Sequence, residues 1–272
     1  MFCHQCEQAA KGIGCDVQGV CGKKPEVANL QDNLLFGLKG LAFFADKARK
    51  LGAKEQEVDV FLLEGLFATV TNVDFDPARL EATIKKCFEM KEKARILYEE
   101  AFCKANGVIR ARVFTDGPAA WVPAADLAKQ GEQYGILTFH ENEDVRSAIE
   151  ILIYGLKGMA AYADHCQILG KHNDEIYAFF HKALAATTDP TLGLMDFVGL
   201  SMECGKVNLT VMGLLNEGHV ERYGHPVPTK VQLGTKAGKA ILVSGHDLLM
   251  LEELLKQTEG KGINIYTHGE ML

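Results

Sequence analysis

"LLFGLKGLAFFADKARKLG" (34–52) and "LIYGLKGMAAYADHCQILG" (152–170) decide how this chain folds, because the second repeats the first at a constant offset of 118 residues. The match continues downstream. Phe61 aligns with Phe179, Leu66 with Leu184 and Thr69 with Thr187, so a unit of at least 36 residues is duplicated. Apolar residues recur at helical spacing in both copies: Leu34, Leu38, Leu41, Ala45 and Ala48 in one, Leu152, Leu156, Met159, Ala163 and Cys166 in the other. Each copy therefore opens with an amphipathic helix. Asp32 or Asn33 can cap or lead into the first, and Gly52 and Gly170 stand where a left-handed C-terminal glycine belongs. The shared pairs Gly37/Gly40 and Gly155/Gly158 weaken a helix but allow close backbone approach.

Further helical patterns at about 57–71, 76–105, 174–187 and 194–216 complete two three-helix bundles, at about 27–106 and 144–217. The segment 107–144, with "TDGPAAWVP" inside it, joins them. Residues 27–221 thus read as one helical domain. After it the texture changes. "YGHPVPTK" is a linker, "KAILVSG" and "INIYTHG" are short β-rich runs, and "HDLLMLEELLKQTEG" between them has helical periodicity. The expected fold is mainly α, followed over 222–272 by the β-α-β start of a Rossmann-like α/β domain. Two parallel strands leave both sheet edges open, so this domain reads as incomplete. A second polypeptide, the bundles or a longer chain would have to cover it.

The first 26 residues are a loop rather than a helix. Cys3, Cys6, Cys15 and Cys21 follow the spacing C-x2-C-x8-C-x5-C among glycines 12, 14, 19 and 22. Four thiolates on one flexible segment match the ligand count of an iron-sulfur cubane, although the spacing is neither of the common ferredoxin patterns. Zinc is the alternative, and its usual paired C-x2-C knuckles are not reproduced by the second pair. Cys87, Cys103, Cys166 and Cys204 are far apart and read as small core residues. In a parallel sheet, ligands sit beyond the carboxyl ends of the strands. Those ends carry His246 in "SGHDL" and Glu270 in "THGEML". His246 could instead cap a helix, His268 stands equally near the second strand end, and Glu270 could belong to a solvated turn.

Composition excludes some partners. The 272 residues carry a formal net charge of -7 and no long basic run, which argues against a phosphate-backbone ligand. The N-terminus lacks the basic stretch and apolar core of a signal peptide, and Lys39 breaks the most apolar window well short of a membrane span. A cytoplasmic protein is expected. In that reducing compartment, clustered cysteines serve as metal ligands or redox groups more often than as disulfides.

The motifs "MFCHQCEQAAKGIGC", "GVCGKKPEVANLQD", "GLKG", "ENEDVRS", "ILVSGHDL" and "LLKQTEGKGINIYTHGEML" together resemble the hybrid-cluster protein family, also called prismane proteins or hydroxylamine reductases. The resemblance covers all 272 residues, but family members are about twice as long. It implies the helical first domain and the opening of the second, in the branch whose cysteine loop holds a 4Fe-4S cubane. The family's second site is a mixed iron-sulfur-oxygen cluster held by one His, two Glu and several Cys. By motif, the His falls on His246 and the first Glu on Glu270. The other ligands belong to segments this sequence lacks, so the hybrid cluster requires that they be supplied. The implied activity is reduction of hydroxylamine to ammonia and water, with nitric oxide as a further substrate and a separate redox electron donor. Catalysis by the chain alone is not expected. An electron-transfer module carrying only the cubane is the alternative.

Overall fold

Pro25 starts the first helix. Its fixed φ and missing amide hydrogen suit the first helical position, and Glu26 places an acid in the first turn, where the helix dipole favours it. The computed structural model describes residues 1–70 and 73–271. In it α1 (Pro25–Lys50) is followed by Gly52 at φ 80°, a left-handed stop that glycine adopts without strain. Asp32 and Asn33, the expected caps, lie well inside this helix. Val27 and Leu30 extend the apolar stripe backwards from Leu34, and burial of that stripe outweighs the local capping preference. Asn33 instead serves the tertiary structure: its Nδ2 donates to Leu127 O at 2.9 Å and its Oδ1 accepts from Trp121 Nε1 at 3.0 Å.

α2 (Gln56–Ala68) and α3 (Pro77–Asn106) complete the first copy. The end expected at 71 lies outside the described residues. A five-residue α4 (Leu127–Gly131) stands in the connection. The second copy is α5 (Glu143–Ile168), α6 (Asp174–Ala186) and α7 (Leu194–Tyr223), the last running past its expected end at 216. Helix lengths are 26, 13 and 30 residues in the first copy and again in the second. The duplication therefore holds in three dimensions.

The two copies exchange partners. α1 packs against α6 as well as α3, and α2 packs against α5, so that each copy's first helix lies on the other's second. One continuous apolar core results, running from Val27 to Val211. Arg49, Asp59 and His181 cross this interface: Asp59 accepts from Arg49 at 2.5 Å and pairs with His181 Nε2 at 2.7 Å. Cys87, Cys166 and Cys204 are buried as expected, whereas Cys103 is only half-buried, and two of the core thiols follow the repeat. Cys87 on α3 abuts Gly37, and Cys204 on α7 abuts Gly155 in the same way. Burial pushes the Cys166 and Cys204 thiols up to about 11 and that of Cys87 higher still, as expected of inert packing residues.

The connection is more than a link. It lies over α1, with Trp121 buried on Gly37 and the carbonyl of Pro118 close against Gly40. Lys91 of α3 donates to Ala119 O and Trp121 O at 3.1 and 2.7 Å.

Residues Tyr223–Leu272 form a separate compact unit. β1 (Lys239–Val243) pairs in parallel with β2 (Ile263–Thr267), Lys239 opposite Ile263 and Val243 opposite Thr267. α8 (Leu248–Thr258) joins them. Its cap is Asp247, which accepts from Met250 N at 3.0 Å; His246 has no part in it. Among the described residues no helix is long and apolar enough to cross a membrane.

Candidate metal centre

The cysteine loop folds back on itself through backbone hydrogen bonds. Cys3 N donates to Cys15 O at 3.0 Å and Cys15 N to Cys3 O at 2.7 Å, forming an antiparallel bridge. Ala10–Gly12 make a short 3-10 turn between them. A second turn, in which Gly19 N donates to Lys23 O and Gly22 N to Gly19 O, returns Cys21 to the same place. Cys3, Cys6, Cys15 and Cys21 consequently line one cavity, together with Gln5 and Lys23. Cys15 is buried, Cys3 and Cys6 are half-buried, and Cys21 is exposed. Among the described residues no three His, Cys, Asp or Glu groups converge closely enough to hold a single ion.

The loop is moored to both helical copies. Glu150 of α5 takes hydrogen bonds from His4 and from Tyr154. Lys157 of α5 donates to Gln5 Oε1 at 3.5 Å and to Thr69 O at 3.3 Å. The fully buried Lys23 donates to Gln31 Oε1 of α1 at 2.7 Å. Acid and lysine come from equivalent positions of the repeat. Asp32 and Lys39 in α1 correspond to Glu150 and Lys157 in α5, each pair two helical turns apart. Burial pushes the Asp32 carboxyl up, against the pull of Lys157, Lys23 and Lys39. Burial also lowers Lys39 to about 7 and pushes Lys157 down, both opposed by Asp32.

At the other site, the parallel register puts the carboxyl ends of β1 and β2 side by side. Ser244 Oγ donates to Glu270 Oε2 at 3.3 Å and lies 3.5 Å from His268 Nδ1, while His268 N donates to Val243 O at 2.7 Å. Glu270 and His268 are thus joined through Ser244. His246 stands three positions beyond the end of β1, as Glu270 does beyond β2, and both side chains are exposed.

All 272 residues match the Prismane/CO dehydrogenase family. The chain belongs to that family. Similar curated proteins named hydroxylamine reductase come from Geobacter sulfurreducens, 68% identical over 275 aligned positions, Geobacter metallireducens, 66% identical, and Syntrophobacter fumaroxidans, 52% identical. Each alignment takes in 100% of this chain and 50% of the relative. This prismane-family chain therefore spans about half the length of the curated relatives it matches. Sequence reasoning had missed the moorings of its cysteine loop. The signal was present in the prismane-family chain itself, since a lysine repeated in two otherwise apolar "GLKG" segments is buried at a cost that needs a partner.

Proposed function

We propose that this chain is the cluster-carrying first half of an iron-sulfur oxidoreductase of the hydroxylamine reductase type. The observation that carries the reading is that Cys3, Cys6, Cys15 and Cys21, spread over 19 positions of loop, line a single cavity. Four thiols on one short loop match the ligand count of an iron-sulfur cubane, whereas structural zinc takes its ligands as two short C-x2-C-like knuckles that the second pair does not reproduce. The donor set fits a 4Fe-4S cubane, and the four thiolates would hold it. When bound, such a cluster passes electrons singly at low potential.

The residues around the loop do the rest. Glu150, Lys157 and Gln31 fix the loop on the two bundles, and the buried face of α1 and α5 keeps water from its inner side. Conversion of hydroxylamine to ammonia and water consumes two electrons and two protons, so a reductant and a second, substrate-binding site are required. His246 and Glu270 are two hard donors at one sheet edge, suited to an iron site with exchangeable positions. They would be part of the ligand set of a mixed iron-sulfur-oxygen cluster, whose remaining ligands belong to the half of the relatives' length that this chain does not span. Nitric oxide is a second substrate of suitable chemistry. Exposure of both His246 and Glu270 favours the alternative that the 272 residues by themselves serve only as an electron-transfer module.

The test is anaerobic purification with iron and sulfide counting and EPR. The chain should carry one cubane, Cys15→Ser should remove or convert it with helix content unchanged, and hydroxylamine turnover by the chain alone should be slight. Addition of a polypeptide corresponding to the relatives' other half should raise turnover, and His246→Ala or Glu270→Ala should abolish that gain while sparing the cubane. Zinc as the dominant metal overturns the cluster reading; substantial turnover by the chain alone overturns the division into halves.

A further inference from the structure

The duplicated "GLKG" segment places two lysines at equivalent positions, and the tertiary structure gives them different neighbours. Lys39 is buried on the Phe139 ring, its Nζ 3.7 Å from the centroid. Lys157 is equally buried but points to the cysteine loop, donating to Gln5 Oε1, between Cys3 and Cys6, and to Thr69 O. Asp32, Glu150, Lys23 and the Cys3 sulfur are the charged groups around it. Burial, the largest influence, and Lys23 work against its charged form, while Asp32, a Cys3 thiolate and Glu150 favour it.

From this asymmetry we propose that Lys157 is a positioning and charge-balancing residue of the cysteine loop, one that raises the reduction potential of the cluster held there. The inference rests on the cubane reading above. One-electron reduction adds a negative charge to a group already bearing four thiolates, and no bond is made or broken. A buried cation held on Gln5, between Cys3 and Cys6, stabilises that added charge more than it stabilises the oxidised form. It is weakly screened, because the side chain is out of water. Gln5 carries the mechanical part of the role: its hydrogen bond from Lys157 holds the turn between the first two cysteines against α5. Lys39 lacks both connections and provides an internal control of matched sequence context.

The experiment is an EPR-monitored redox titration of the 272-residue chain with dithionite under anaerobic conditions, with iron and sulfide counted in every sample. Lys157→Met should lower the reduced-to-oxidised ratio at a fixed potential at least tenfold, about 59 mV for a one-electron couple. Lys157→Arg should restore most of the shift, and Lys39→Met should leave the midpoint within about twofold in that ratio. An unchanged midpoint in Lys157→Met, with iron and sulfide intact, overturns the inference while leaving the cubane reading in place. So does an equal shift in Lys39→Met. A Lys157→Met chain that loses its iron while Lys39→Met retains it assigns Lys157 to loop structure alone and overturns the electrostatic role. Wild-type chain without iron and sulfide overturns the cubane reading, and the inference falls with it.

Discussion

Lys39 lies buried over the Phe139 ring, and burial, helped by Lys157, brings it from 10.5 to about 7 against the opposing pull of Asp32. Its effect on stability follows from that direction. The folded state holds the Lys39 proton less tightly than the unfolded state, so the favourable contribution is complete above about pH 10.5 and is lost as pH falls towards about 7. Between these values the unfolded chain binds more protons and stability rises with pH, by up to about 1.4 kcal/mol per unit. Lys39→Met removes this slope. Urea unfolding of the helical unit should therefore show wild type gaining on the variant between about pH 7 and pH 10, with a flat difference below about pH 6. A constant difference across the whole range would mean that Lys39 titrates alike in both states. Nothing in the local sequence announces this shift. The lysine is legible, but its partners Asp32 and Phe139 come from another turn and another element.

At the scale of the element, the repeat makes two glycine pairs that look interchangeable and are not. A Cβ on Gly40 would lie 2.2 Å from the backbone oxygen of Pro118, whereas one on Gly158 would meet nothing within 4 Å. Gly40→Ala must push the connection off α1 and should cost about 1–3 kcal/mol. Gly158→Ala only replaces a poor helix former by the best one and should stabilise α5 by about 0.5–1 kcal/mol. Thermal unfolding of both variants checks the contrast; equal effects would show that the connection yields freely. The same asymmetry marks the third helices. α3 is covered by the connection, while α7 buries Phe197, Cys204, Val211 and Gly218 at seven-residue intervals and leaves Met195, Met202 and Leu209 exposed. Helix number and length could be read from periodicity, but a start could not. The expected caps Asp32 and Asn33 lost to the apolar stripe that continues back to Pro25.

Over the whole molecule, stability is unevenly spread. The helical unit shares one core across both copies, whereas α8 contains no buried residue and the sheet of the second unit has two strands. Backbone hydrogen bonds with so little apolar cover open at low free energy. Amides of β1 and β2 should therefore exchange well before those in the middle of α1 when hydrogen exchange is followed on the 272-residue chain. Protection of Ile241 and Ile265 equal to that of Leu38 would show that the small unit is held by more than its own contacts.

The sequence by itself determined the duplicated helices, the change to a β-α-β unit and the four-cysteine loop. Each of these is written in short-range spacing, which the chain's own periodicity converts into structure. Only the tertiary structure decided that α1 lies on α6 and α2 on α5, that the connection covers one glycine pair and leaves the other bare, and that Lys157 rather than Lys39 meets the cysteine loop. Those outcomes depend on which apolar faces meet across more than a hundred residues. Equivalent segments of a repeat present similar faces to that choice, and the surroundings assembled around each copy separate them.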